Sequence, residues 1–142
     1  MRSKNNKTNN AQKSKGFEVN AKAIKYFRTV NPNESFHFYE AIGKPTGQSA
    51  SNLAEFLEIV KSVKTESLQF HLERKDFQNW IEKTLGDKTL ATRITNTGTK
   101  HQGNIRAKIQ SMLQKRIKEL KDEIAALRSQ GSEPQKGFEV VK

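Results

Sequence analysis

The chain has 142 residues, 33% of them hydrophobic and 29% charged, with 26 Lys/Arg against 15 Asp/Glu for a formal charge of +11. That length holds one ordinary domain, and the low apolar share implies a modest core carrying polar extensions. There are no cysteines, which excludes disulfides, thiolate nucleophiles and cysteine-ligated metal and points to a reducing, cytoplasmic setting; no apolar run approaches the roughly 20 residues of a membrane-spanning helix, so no membrane role is expected.

The charge is unevenly placed. Residues 1–30 carry eight Lys/Arg and one acid, residues 31–97 eight against nine, and residues 98–142 ten against five. The first of these segments reads as a disordered basic arm, because Asn5, Asn6, Asn9 and Asn10 interleave with Lys4, Lys7, Lys13 and Lys15 and little before Phe17 can be buried. Asn31-Pro32-Asn33 is a boundary signal, since the residue before proline is driven out of the helical region. A small globular domain is expected over 31–97, and it opens with the aromatic-rich run Ser35 to Ile42, read as a strand. Gly43-Lys44-Pro45-Thr46-Gly47 is read as the loop that closes it; its length and its proline do not suit a Walker motif.

Asn52 and Glu55 form a capping-box pattern ahead of Leu53, Phe56, Leu57 and Val60, which predicts a helix over 52–63. Thr65 to Arg74 fits both periods and is assigned as helix. Asp76 is read as the N-cap of a helix over Phe77 to Leu85 that stops at Gly86, and Asp87 as the cap of a further short helix through Leu90, Ala91 and Ile94. A long helix is expected from about Asn104 to Arg128, as part of a basic segment spanning 98–130, with a flexible tail over 131–142. In this helix Leu113, Ile117, Leu120, Ile124 and Leu127 fit a heptad with Ile at a and Leu at d, a seam that must pack on its own domain, dimerise or meet a partner helix. The expected fold is therefore mainly α, with a small α+β variant open: a compact bundle of short helices with one strand or hairpin, then a long C-terminal helix. The string Lys15-Gly16-Phe17-Glu18-Val19 recurs as Lys136-Gly137-Phe138-Glu139-Val140, either as paired docking motifs or adjacent edge strands, or as coincidence or relics of one ancestral signal.

The succession Phe36-His37-Phe38, Gly43-Lys44-Pro45-Thr46-Gly47, Ser67-Leu68-Gln69-Phe70-His71, Asp76-Phe77-Gln78-Asn79-Trp80-Ile81 and Gly86-Asp87-Lys88-Thr89-Leu90-Ala91 resembles an uncharacterised domain family of archaea and some bacteria. The resemblance covers about residues 35–95. It implies an accessory or interaction module and brings no catalytic residues.

No nucleophile stands beside a base, no paired carboxylates lie outside solvated helix faces, and no cofactor or metal signature is present, so a non-catalytic role is expected. His37 and His71 read as structural histidines and His101 as an exposed one, with a His37, His71 and Asp76 cluster as the minority alternative. Trp80, Phe77 and Phe70 are assigned to the core rather than to a base-stacking platform. The leading expectation is binding of DNA or RNA by Lys4, Lys7, Lys13, Lys15, Lys22, Lys25, Tyr26 and Arg28 of the arm, with Arg106, Lys108, Lys115 and Arg116 of the helix; Tyr26 and Phe27 read equally as groups that stack on nucleic acid or that staple the arm to the domain. The alternative is a protein–protein adaptor using the central domain and the coiled-coil-like helix, whose Leu113, Ile117, Leu120, Ile124 and Leu127 could also form a homodimer. A small histidine-based metal protein or hydrolase is third.

Overall fold

A computed structural model describes residues 21–97 and 104–131. Among the described residues the first helical stretch is 21–26 (α1), whose Ala23 is fully buried, with Tyr26 and Phe27 half-buried against the core. The expected disordered arm therefore does not extend to residue 30; residues 21–30 belong to the fold. The reason is tertiary: three apolar side chains and the buried Val30, too few to make a core of their own, are covered by elements from far along the chain. Val30 N–H donates to the Ser51 carbonyl at 2.8 Å, and Pro32–Glu34 then makes a 3-10 turn at the expected boundary.

Strand β1 (Phe36–Ala41) pairs antiparallel with β2 (Lys44–Ala50), placing Phe36 opposite Ala50 and Tyr39 opposite Pro45 with irregular register between. Phe36 and Phe38 point into the core and His37 outward, the period of a half-buried strand. The stretch 43–47, expected as a loop, is instead a turn residue and the start of β2. Its proline and glycine are tolerated because β2 is the outer, mostly exposed strand of a two-stranded sheet. Gly43, at φ 75°, supplies the left-handed residue of the turn.

Helix α2 (Leu53–Ser62) starts where the capping pattern placed it: the Asn52 side chain accepts from Glu55 N–H at 2.8 Å, and the Glu55 carboxylate accepts from Ser51 N–H at 2.8 Å. Helix α3 (Thr65–Arg74) buries Leu68, His71 and Leu72, one helical stripe, and leaves Phe70 half-buried, which settles the ambiguous period of that stretch. It ends at Lys75, held at φ 64°. Helix α4 (Asp76–Asn79) passes directly into a π-helical turn, Trp80–Leu85, and Gly86 ends it at φ 91°. Asp76 is the first helical residue and makes no cap bond, so the N-cap expected there is absent. Asp87 does cap α5 (Lys88–Thr97), accepting from Leu90 N–H at 3.1 Å.

The chain ends its described part in α6 (Ile105–Gly131), which lies across α2, α3 and α5. Ile109, Leu113 and Leu120 are fully buried and Ile117 nearly so, while Ile124 and Leu127 are half-buried. Of the three ways to cover the heptad seam, the chain uses its own domain. The expected helix interface is thus corrected at Leu113, Ile117 and Leu120, which have no surface left to offer a second helix. The aromatic centre of the core is Phe36, ringed by Phe38, Phe56, Phe77 and Trp80 at centroid distances of 4.9–5.8 Å. Trp80 stacks on Phe56 at 13° between planes and donates its indole N–H to the Glu34 carbonyl at 2.8 Å.

Candidate functional site

The cations expected to meet phosphates separate into two groups. Lys4, Lys7, Lys13 and Lys15 lie outside the described residues. Lys22 and Lys25 on α1, and Lys108 and Lys115 on the face of α6 opposite the seam, are exposed and make no ion pair among the described residues. The three arginines are consumed by the fold, and as phosphate ligands they are corrected. Arg28 donates to the carbonyls of Lys25 (2.6 Å), Thr84 (2.9 Å) and Leu85 (3.2 Å), closing the C-terminal end of the π-helical turn where a cation is favoured. Arg106 does the same for α2, donating to the Val60 carbonyl at 2.7 Å and to Thr65 Oγ1 at 3.3 Å.

Arg116 is the most deeply committed. Its Nε and Nη2 grip both oxygens of the fully buried Asp87 at 2.8 and 3.0 Å, and Nη1 meets Glu119 at 3.0 Å, which also takes Arg93 at 2.9 Å. Burial by itself disfavours the charged guanidinium, but the Asp87 and Glu119 carboxylates outweigh it and hold the Arg116 pKa above its ordinary value. Burial likewise pushes the Glu119 carboxyl upward, and Arg93 and Arg116 reverse this, leaving it below the ordinary value. Tyr26 lies under the Arg116 guanidinium, 5.9 Å from ring centroid to Cζ. It therefore staples α1 to α6; of the two readings open for Tyr26, stacking on nucleic acid or stapling the arm to the domain, its packing fits the second. Asp87 was legible as a cap, but its second partner stands 29 residues away, beyond any local pattern.

His71 is 3% exposed, and both ring nitrogens are occupied: Nδ1 meets Asp76 Oδ2 at 2.8 Å and Nε2 accepts from Tyr39 N–H at 2.8 Å. A ring whose Nε2 accepts a backbone N–H is neutral with its proton on Nδ1, donated to Asp76. Burial lowers its pKa below 6.5, and Arg74 adds to this, despite the opposing pull of Asp76. It can neither ligate a metal nor take a proton without giving up a structural bond. Spacing alone did not place Asp76 beside it. The left-handed turn at Lys75 does, by folding α4 back against the end of α3.

His37, His71 and Asp76 all border one open cleft of about 480 Å³ between the hairpin turn and the α3–α4 junction. Its walls are Tyr39, Phe70 and Trp80, with Arg74 over the Phe70 ring at 5.0 Å and Ile42 at the rim, 80% exposed. Among the described residues no three His, Asp or Glu side chains are grouped to hold a metal. The cleft was missed from sequence because Ile42 read as the apolar end of a strand; it is in fact at the hairpin tip.

A second concavity, about 360 Å³, lies where the turn after α1 meets the C-terminal part of α6. It is lined by Phe27, Ile124 and Ala125 with the cations Lys121 and Arg128, and Lys121 Nζ stands 6.0 Å from the Phe27 ring centroid. Among the described residues no helix is long and apolar enough to cross a membrane.

A family model described as a family of unknown function, DUF5752, matches residues 14–114. No curated protein and no solved structure matches the chain.

Proposed function

This chain belongs to the DUF5752 family of unknown function, and we propose that it is a non-catalytic, cytoplasmic nucleic-acid-binding protein that holds DNA or RNA by phosphate contacts from lysines. The observation that carries this reading is the division of labour among the cations: the guanidinium donors of Arg28, Arg106 and Arg116 are engaged by carbonyls, a hydroxyl and carboxylates of the fold, whereas Lys22, Lys25, Lys108 and Lys115 stand exposed and without an ion pair among the described residues. Lys4, Lys7, Lys13 and Lys15 add to the same excess from a segment, residues 1–20, that holds five Lys/Arg and one acid. Lysine is a point charge that follows a phosphate chain without fixing on a base edge, so the binding has affinity and little sequence preference. The motif pattern of residues 35–95 is taken as the signature of the family in archaea and bacteria.

Titration of labelled single-stranded and duplex oligonucleotides over a range of salt tests this. Each phosphate that a lysine no longer neutralises lowers the slope of log K against log salt by about 0.7–0.9. Changing Lys4, Lys7, Lys13 and Lys15 to Gln should flatten it by roughly 3, with the melting temperature unchanged, and changing Lys22, Lys25, Lys108 and Lys115 to Gln should flatten it further. Absence of binding at low salt, or an unchanged slope in the combined variant, refutes the reading.

One observation favours an adaptor as the second reading: Ile42, exposed beside an aromatic cleft, suits a partner's apolar side chain better than a phosphate. Capture of a partner that survives nuclease and is lost in Ile42→Asp supports it.

A further inference from the structure

The groove between Phe27 and α6 has an apolar floor of Phe27, Ile124 and Ala125, two cations in its wall and no acid among its lining residues. Arg128 has no ion pair among the described residues, and Lys121 has only the Phe27 ring. Such a site fits a short segment with an apolar ring followed by a carboxylate. We propose that its occupant is the C-terminal string Phe138-Glu139-Val140 of the same chain, the ring of Phe138 on the apolar floor and Glu139 between Lys121 and Arg128.

Chain length permits it. At 1.5 Å per residue, Lys121 to Arg128 lie roughly 5–15 Å back from the helix end at Gly131, whereas the seven residues from Gly131 to Phe138 span up to about 23 Å when extended. Ser132, Glu133 and Pro134 supply the turn formers for the reversal. The second copy, Phe17-Glu18-Val19, precedes the helical residues 21–26, which place about 9 Å of helix between it and Phe27. No glycine or proline stands between it and those residues, whereas Gly131, Ser132 and Pro134 precede the C-terminal copy, so the N-terminal copy is the worse placed to double back. Tethering puts the local concentration of the C-terminal string in the millimolar range, so a weak interaction suffices to hold it. Docked, it covers two cations of the surface.

Because the chain has no cysteine, a nitroxide on Val141→Cys in the full-length protein reports this without background. The amides of Phe27, Lys121, Ile124, Ala125 and Arg128 should lose most of their intensity, and Phe138→Ala with Glu139→Lys should restore it. Equal broadening in that double variant means mere closeness of the tail and overturns the proposal, as does no broadening at all. Broadening from a label at Ser14→Cys in place of Val141→Cys assigns the groove to the N-terminal copy and also overturns it. So does broadening in a mixture of spin-labelled and isotope-labelled molecules, which identifies a second copy as the source. No nucleic acid is present, so the outcome is independent of the phosphate-binding reading.

Discussion

Arg116 distinguishes the structural account from a surface-charge account most sharply. Replacing it with Met keeps the length of the side-chain stem and removes the guanidinium, leaving Asp87 fully buried with one oxygen on Leu90 N–H and the other without a partner. Removing one member of a buried pair costs about 3–5 kcal/mol, because the surviving charge has neither water nor a counter-ion. Domains of this size are stable by about 5–15 kcal/mol, and each kcal/mol moves the midpoint by roughly 4 °C, so the melting temperature should fall by about 12–20 °C. Arg116→Lys should recover little, since an ammonium cannot span both Asp87 oxygens. Asp87→Asn added to Arg116→Met should recover part of the loss, because the uncompensated charge is then gone. Urea unfolding followed by the emission of the single tryptophan, Trp80, measures all three. A loss below about 1 kcal/mol for Arg116→Met, the range of an exposed ion pair, refutes the reasoning and returns Arg116 to the surface.

Trp80→Ala removes a ring that is 8% exposed and stacked on Phe56, and it leaves the Glu34 carbonyl without its donor. The expected loss is about 3–5 kcal/mol by circular dichroism, and red-shifted, water-exposed indole emission from the folded parent contradicts it. His71 gives a pH dependence of defined sign. Its pKa is lowered by folding from 6.5, so the unfolded chain binds the extra proton, and the stabilisation present above pH 6.5 is lost as pH falls from there through the lower folded value. In His71→Phe the parent's decline in melting temperature over that interval should flatten, although the variant is less stable throughout for want of a partner to Tyr39 N–H. An identical pH profile in parent and variant contradicts this.

The elements that could be read along the chain are those whose cause is local. Asn52 with Glu55 sets the start of α2, Gly86 the end of the π-helical turn, Asp87 the start of α5, and the apolar spacing from Ile109 to Leu120 the inward face of α6; each depends on residues within a turn or two. The errors fall where the cause is distant. Residues 21–30 look unstructured because their few apolar groups are covered by α6 and the core, and β2 looks like a loop because its polar, proline-bearing sequence is tolerated only beside β1. Arg28, Arg106 and Arg116 look free because Thr84, Val60 and Asp87 lie 56, 46 and 29 residues away. The sequence by itself determined composition, charge distribution, the starts of α2 and α5 and the existence of an amphipathic long helix, since these follow from short-range sterics, hydrogen bonding and periodicity. Only the tertiary structure decided which cations remain free and what covers the seam of α6. Both depend on groups that compete for the same charge or surface after the chain has folded.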